Sequence, residues 1–160
     1  MPGEFLWKER SIITLTSTGD SLTNLSGAAA GTDLDVRTAG NAVGDDAAIF
    51  ELTCQWGTVT AIAAGTLIAD LYLIPKIDGT NLSQLDLTVG SSYIPFTHRV
   101  GGFVAAKIPT AGVNTIFSTG SLDAIPIMPL RYTAHLINRS GQTISINWVL
   151  KVITARHQYT

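Results

Sequence analysis

The chain contains few of the residues from which metal sites and covalent catalytic sites are built. Among its 160 residues it has one cysteine, Cys54, and three histidines that stand far apart. A single cysteine excludes an intramolecular disulfide, and no two histidines have the short spacing of a common zinc motif. Cys54 alternates in step with Phe50, Leu52 and Trp56. We therefore expect a small core residue there and not a reactive thiolate.

Charge is also scarce. Asp, Glu, Lys and Arg together make up 14% of the chain, the formal net charge at pH 7 is -2, and no basic run occurs. A protein that binds nucleic acid without sequence preference needs a positive field to attract phosphates, and this chain does not supply one. We therefore expect no nucleic-acid partner.

Long apolar runs are missing as well. No segment offers the roughly 20 uninterrupted apolar residues that cross a bilayer as a helix. The N-terminus lacks the basic start and apolar run of a signal peptide. We expect a protein that makes no membrane contact, is not secreted and is assembled in a cytoplasm.

Catalytic and cofactor-binding motifs do not occur either. The chain has no Gly-x-Ser-x-Gly elbow and no glycine-rich phosphate loop. Glu51 and Asp70 fall on neighbouring predicted strands, as the two carboxylates of a glycosidase would. A solvent-facing Glu51, and an Asp70 that accepts hydrogen bonds from loop backbone amides, explain the two residues more simply. The sequence thus predicts a protein that is not an enzyme, with no catalytic residue, no cofactor and no metal site.

What the sequence does contain is a β pattern. Hydrophobic residues make up 46% of the chain, and residues 48–56 alternate between apolar and polar. In Leu67–Ile74 the residues on both faces of the predicted strand are apolar, apart from Asp70. This pattern predicts a central strand with both faces covered. With turn residues between such segments, the pattern predicts an all-β fold, an antiparallel two-sheet sandwich that is jelly-roll-like and has about eight strands. The segments are Ile12–Thr16, Asp33–Arg37, Ala48–Trp56, Leu67–Ile74, Tyr93–Phe96, Val100–Ile108, Val113–Phe117, Arg131–Ile137 and Thr143–Ile153.

The connections and ends complete this prediction. Ser17–Gly31 is rich in Ser, Thr, Gly and Ala, which predicts a long loop with one weak helical turn around Leu22–Ala30. Residues 138–142 are predicted to join the last two strands as a hairpin. His135 is expected on an exposed strand face. The whole is one domain, in which residues 1–45 contribute an arm or strands and a loop that pack on a sandwich of residues 46–160.

Two stretches resemble a known group of proteins. The first reads Asp-Leu-Tyr-Leu-Ile-Pro-Lys-Ile-Asp-Gly-Thr-Asn-Leu over residues 70–82, and the second reads His-Leu-Ile-Asn-Arg-Ser-Gly-Gln over residues 135–142. Their residues, order and separation resemble those of small all-β virion structural proteins from tailed bacteriophages. The resemblance covers about residues 45–155. In those proteins an aromatic residue often follows the Asp-Gly-Thr-Asn turn, where this chain has Leu82.

The resemblance implies a structural component of a phage particle. The implied role is that of a decoration, or cement, protein that binds the outside of the head and stabilises it. Such proteins form symmetric homo-oligomers, often trimers, and their partner is the major capsid protein or another virion protein. The implied location is the virion, after assembly in the host cytoplasm.

Two alternatives remain open at this stage. One is a tail, neck or baseplate component of the same kind of particle. The other is a carbohydrate-binding module on a receptor-binding appendage, for which the aromatic residues would supply a stacking platform. The candidate aromatics are Trp7, Trp56, Tyr72, Trp148 and Tyr159. Because Trp56 and Trp148 share their parity with apolar strand residues, we expect these two in the core.

Two apolar segments are the candidate interfaces with other subunits or with the shell. One is the N-terminal cluster of Phe5, Leu6 and Trp7, which either packs on its own domain or reaches a neighbour. The other is the apolar loop 124–130. Its candidate contact residues are Ile125, Ile127, Met128 and Leu130.

Overall fold

The computed structural model is all-β and consists of two antiparallel sheets, which confirms the predicted sandwich. It describes residues 5–9, 12–16, 21–37, 45–60, 62–76, 99–119, 125–145 and 148–159. The strands in these ranges are β1 (Phe5–Glu9), β2 (Ile13–Thr16), β3 (Gly27–Ala29), β4 (Leu34–Asp35), β5 (Ala47–Cys54), β6 (Leu67–Lys76), β7 (Arg99–Val104), β8 (Thr115–Ser118), β9 (Ile125–Pro126), β10 (Arg131–Asn138) and β11 (Val149–Tyr159). In the described part of the chain no helix is long and apolar enough to cross a membrane.

The chain crosses between the two sheets several times. In the first sheet, β11 pairs with β5 on one side and with β1 and β2 on the other, and β5 also pairs with β8 and β9. In the second sheet, β10 pairs with β3, β4 and β6, and β6 also pairs with β7. Between β5 and β11 the described strands therefore change sheets four times, after β5, β7, β9 and β10, as in jelly-roll-like sandwiches.

The core lies between the sheets and follows the alternation in the sequence. Along β5 every second side chain is buried, including Phe50 and Leu52. Trp56 and Trp148 are fully buried, which confirms the expectation for both, and the Trp56 ring meets Phe117 edge-on at 5.9 Å between ring centroids. Cys54 is a buried core residue, as predicted. Burial raises the pKa of its thiol to about 12, so the thiolate is not populated near neutral pH.

β6 is covered on both faces, as its continuous apolar run predicts. Leu71 and Leu73 belong to the core between the sheets. Tyr72 and Ile74 alternate with them and point to the opposite face, yet only 2% and 0% of their surfaces are exposed. We call this second side the outer face of the second sheet.

The predicted hairpin over residues 138–142 is wrong. β10 lies in the second sheet and pairs with β6, whereas β11 lies in the first sheet and pairs with β5. The turn therefore starts a crossover between sheets. Alternation identifies both segments as strands, but it carries no information on which strands pair.

The N-terminal region contributes to both sheets. β1 and β2 pair with β11, and β3 and β4 pair with β10. The weak helical turn predicted around Leu22–Ala30 is wrong, because β3 lies there. Its small residues pack against β10, and such tertiary contacts override the low β propensity of Gly and Ala. The predicted strand Tyr93–Phe96 lies outside the described residues.

Candidate functional site

Asp70 is the centre of an ion-pair cluster on the outer face of the second sheet. Its carboxylate is almost fully buried and accepts a hydrogen bond from Arg99 Nε at 2.7 Å and another from Arg139 Nε at 2.7 Å. The hydrogen bond to Asp70 raises the pKa of Arg139 above its usual value. The predicted partners of Asp70 were loop backbone amides. The structure shows two guanidinium groups instead, and each of them donates a charge-assisted hydrogen bond to one oxygen of the carboxylate.

Gly102 leaves the space that this cluster needs. It lies opposite Asp70 on β7, beside an irregularity in the pairing of β6 and β7. A Cβ atom at Gly102 would lie 2.8 Å from Leu67 Cδ1 and 3.3 Å from Arg99 Nη2. The missing side chain therefore lets Arg99 lie across its own strand towards Asp70.

The side-chain amide of Asn138 holds the turn after β10 through four hydrogen bonds. Asn138 is completely buried, and its Nδ2 donates to the backbone oxygens of Leu22 at 2.7 Å and Gln142 at 2.6 Å. Its Oδ1 accepts from the backbone N–H of Ser140 at 2.9 Å and from the Ser140 hydroxyl at 2.8 Å. Gly141 adopts a φ of 78°, which closes the turn at no steric cost. All hydrogen-bonding capacity of this amide is used inside the protein.

The two stretches that carry the phage resemblance meet in one structural unit. Arg139 from the turn binds Asp70 from β6, and its backbone N–H donates to the Ile68 oxygen at 2.8 Å. Trp56 Nε1 donates to the Ser140 hydroxyl at 3.2 Å and so ties the same turn to the core. Residues 77–82 of the first stretch lie outside the described residues. The described motif residues thus join β6, the turn and the core.

A second ion cluster centres on Asp33. Its carboxylate meets Lys76 Nζ at 2.7 Å and Arg131 Nε at 2.9 Å, and it accepts a hydrogen bond from the Thr133 hydroxyl at 2.8 Å. Burial alone would raise the pKa of Asp33. The hydrogen bonds from Lys76 and Thr133, together with the nearby positive charges, outweigh burial and lower the pKa below its usual value.

His135 lies between these clusters, and its predicted exposure is wrong. The residue is fully buried at the middle of β10, opposite Tyr72 and Ala29 on the neighbouring strands. Neither ring nitrogen has a hydrogen-bond partner among the described residues. Burial lowers the pKa of His135 to about 4. Alternation places His135 on the face opposite the core, but it does not reveal that this face is covered as well.

The carboxylates that were considered for chemistry have structural partners. No group of three or more His, Cys, Asp or Glu side chains that could hold a metal ion occurs among them. Glu51 is partly exposed and lies 3.5 Å from Lys151 Nζ, an ordinary surface ion pair. Asp70 is occupied by two arginines, so the two carboxylates considered for glycoside hydrolysis have separate structural partners.

The predicted interface residues differ in their placement. Ile125 and Ile127 are buried and belong to the core cluster, and Leu130 is partly buried against it. Of these four loop residues only Met128 is exposed. The segment that contains Phe5, Leu6 and Trp7 forms β1, which pairs with β11 of its own sheet. The side chains of β1 lie outside the described residues, and the interface role of this segment stays a prediction.

The structure reveals an apolar surface that the sequence prediction missed. Seven large apolar side chains are exposed in the described part of the chain, and four of them lie between residues 104 and 116. They are Val104, Ile108, Val113 and Ile116. This segment comprises the end of β7, the connection 105–114 and β8, and with β9 it forms what we call the open edge of the sandwich. The sequence contains one sign of this exposure. Ile116 directly precedes the core residue Phe117, so its side chain points to the opposite face of the strand.

The Asn138 amide offers a direct test of how the turn is held. Replacing Asn138 by Ala removes all four of these hydrogen bonds and leaves the buried Ser140 N–H without its acceptor, while the Leu22 and Gln142 oxygens each keep one other donor. We expect the free energy of unfolding to fall by about 2–3 kcal/mol, measured by urea denaturation. Asn138→Asp should cost at least as much, because it replaces both donors by a carboxylate facing carbonyl oxygens. The exposed Asn114→Ala should change stability by less than about 0.5 kcal/mol. Equal stability of the Asn138 and Asn114 variants would contradict the assignment.

Comparisons with known proteins give structural neighbours but no family. No family model matches the chain, and no curated protein matches it. The VP2 subviral particle of infectious bursal disease virus aligns with 97% of this chain at 13% identity and a TM-score of 0.33. The decameric BFDV capsid protein aligns with 98% of this chain and 100% of its own length at 12% identity and a TM-score of 0.35. The chain spans about a third of the VP2 chain, 33%. At TM-scores below 0.5, the similarity to these viral capsid proteins assigns no role to this chain.

Proposed function

We propose that this chain is a structural virion protein of a tailed bacteriophage, a decoration protein that binds the outside of the head and stabilises it. One observation carries the proposal. The described residues of the two stretches that resemble phage virion proteins form a single unit, in which Arg139 of the turn binds Asp70 of β6 at 2.7 Å. The shared residues therefore build a rigid β scaffold, as a shell component requires.

The distribution of polar groups supports a structural role. Asp70 and Asp33 each gather two cations from other parts of the chain, and Asn138 uses all its hydrogen bonds inside the fold. These contacts fasten strands to one another and to the turn. A sandwich fastened in this way resists deformation, and deformation is the load that a particle under internal pressure imposes on its surface proteins.

The alternative of a carbohydrate-binding module loses part of its support. Three of its five candidate aromatics, Trp56, Tyr72 and Trp148, are buried and offer no stacking surface to a sugar. The side chains of Trp7 and Tyr159 lie outside the described residues. A tail, neck or baseplate role uses the same fold and is separated from a head role by experiment.

The test is binding to the particle of the phage that encodes the chain. Purified protein is mixed with emptied heads and separately with isolated tails, and both are sedimented. We expect saturable binding to heads, with a fixed number of copies per head, and increased resistance of the heads to heating. Binding to tails alone would overturn the head assignment in favour of the tail alternative. No binding to either would overturn the proposal.

The proposed assembly is a homo-oligomer, with the trimer favoured by the resemblance. Light scattering behind a sizing column gives the mass directly. A trimer would support a decoration protein, whereas a hexamer or dodecamer would favour a ring in the tail or neck.

A further inference from the structure

Leu25 combines a strained backbone with an exposed apolar side chain. It is the third residue of the turn Thr23–Ser26, which the Ser26 N–H closes by donating to the Thr23 oxygen at 3.0 Å. Its φ is 64°, and among the described residues it is the only one besides glycine with a positive φ. Glycine or asparagine is favoured at this position of such a turn, because the Cβ of other residues crowds the backbone. The side chain is 51% exposed, so burial within the chain offsets little of this strain.

The turn is nevertheless held firmly in this conformation. The Leu25 N–H donates to the Asn138 oxygen at 2.9 Å, and Asn24 Oδ1 accepts from the Gly141 N–H at 3.1 Å. Strained residues persist where the surrounding contacts over-determine them, and they concentrate at binding sites. A backbone that is fixed in advance also loses little conformational freedom when a partner binds. The geometry therefore presents the Leu25 side chain to solvent from a rigid support.

This turn lies at one end of the sandwich, together with three other connections. Leu22 forms a bridge with Ile144, and Ile144 forms another with Trp56. We call this end, formed by residues 21–26, 55–66, 105–114 and 139–148, the connection end. In the second sheet, β3 at one side of this end is about 14 Å from β7 at the other. Of the seven large apolar side chains that are exposed in the described part of the chain, four lie here, namely Leu25, Val104, Ile108 and Val113.

The charge presented at the connection end is that of Lys107. No acidic residue occurs in the described parts of the four connections, and their other cation, Arg139, is bound to Asp70. Asp20, which precedes the first connection, lies outside the described residues. Lys107 is exposed, and with the exposed Ile116 it lines a cleft of about 480 Å³. An apolar surface that carries carboxylates fits this combination of exposed aliphatic side chains and one ammonium group.

We propose that the connection end is the surface by which this chain binds the shell, with Leu25 and Lys107 against an apolar and acidic patch on the outside of the head. The same end of a second copy does not fit, because it would place two Lys107 ammonium groups together with no described carboxylate between them. Contact with the shell buries the Leu25 side chain, which offsets the strain of its turn. The inference deepens the proposed function and rests on it.

Leu25→Asn and Met128→Asn form a matched pair of variants. Each replaces an exposed apolar side chain by an amide, and Met128, which is 67% exposed, precedes β10 at the opposite end of the sandwich. Asparagine tolerates a positive φ, so Leu25→Asn should keep or raise the melting temperature. Sedimentation with emptied heads over a concentration series should show at least tenfold weaker binding for Leu25→Asn and wild-type binding for Met128→Asn. A purely structural role of Leu25 would give a lower melting temperature and unchanged binding.

Lys107→Glu tests the charge of the contact. The reversed sign should weaken head binding at least tenfold at low ionic strength, and the effect should shrink as salt screens the interaction. Lys107→Arg keeps the charge and should bind as the wild type does. Equal binding by the Glu and Arg variants at low ionic strength would overturn the acidic character of the partner surface.

These outcomes separate the docking surface from the proposed function. A wild type that binds heads, with equal affinities for the Leu25 and Met128 variants, would overturn the docking surface and leave the decoration role intact. A wild type that binds no heads would overturn both. If Leu25→Asn dissociates a homo-oligomer but binds heads normally, the connection end is a contact between copies, and the shell is not what it binds.

Discussion

Replacing Asp70 by Ala is expected to lower the free energy of unfolding by about 3 kcal/mol. The carboxylate is 6% exposed and is the common partner of Arg99 and Arg139, both at 2.7 Å. Its removal leaves two partly buried guanidinium groups close together without the charge that binds them. For a chain of this size the melting temperature should fall by roughly 6–12 °C. Urea denaturation gives the free energy, and calorimetry gives the melting temperature.

Asp70→Asn separates the charge from the shape of the side chain. The amide fills the same space and retains one acceptor, so the loss of stability isolates the removal of the charge. Glu51→Gln is the matched control, because Glu51 makes a 3.5 Å pair with Lys151 in which both side chains are more than a third exposed. The control should change stability by less than about 0.5 kcal/mol. Equal losses in the two amide variants would show that the Asp70 cluster contributes no more than a surface ion pair.

This cluster illustrates what the sequence could not reveal. The partners of Asp70 are 29 and 69 residues away, and no local pattern indicates that they meet. The apolar surroundings of Asp70 were visible in the sequence and correctly indicated a structural role. The nature of its partners depended on the pairing of β6 with β7 and on the crossover after β10, which are properties of the whole fold.

The strands themselves were more accessible to prediction than their arrangement. Alternation in residues 48–56 identified β5 and its core face, and the continuous apolar run of Leu67–Ile74 identified a strand covered on both sides. Period-two patterns record which side chains face an apolar environment, so they locate strands and cores. They do not specify neighbours, and the predicted hairpin between β10 and β11 failed for that reason.

The candidate interaction surface shows the same division. The apolar loop 124–130 was selected because it is hydrophobic in sequence, yet Ile125 and Ile127 are buried in the core. Val104 and Ile116 lie on the predicted strands Val100–Ile108 and Val113–Phe117 and were not selected as contact residues, yet they are exposed. An apolar side chain is favourable to bury, but the sequence does not show whether it is buried. Its exposure depends on where the edges of the two sheets lie.

His135 is expected to make the protein lose stability between pH 6.5 and pH 4. The pKa of this side chain is lowered by burial from 6.5 to about 4 in the folded protein. A folded-state pKa below the unfolded one means that the unfolded chain binds the proton first as the pH falls. Stability is therefore fully present above pH 6.5, declines below it, and has lost about 3 kcal/mol once the pH falls below 4.

Asp33 contributes in a lower range, so the two effects can be separated. Its pKa is lowered from 3.8, so its contribution to stability is present above that pH and is lost only as the pH falls through the still lower folded value. The window between pH 6.5 and pH 4 thus reports on histidine. The other two histidines remain in a His135 variant, and the difference between variant and wild type isolates this residue.

His135→Leu is the decisive variant. Leucine has a similar volume and no polar atoms, so it removes two buried ring nitrogens that have no hydrogen-bond partner among the described residues. At pH 7.5 the variant should be as stable as the wild type or more stable. Its unfolding free energy, measured by urea denaturation at intervals from pH 7.5 to pH 4, should fall about 3 kcal/mol less than that of the wild type. Parallel curves for the two proteins would show that His135 is hydrated or paired in solution, and that the outer face of the second sheet admits water at its centre.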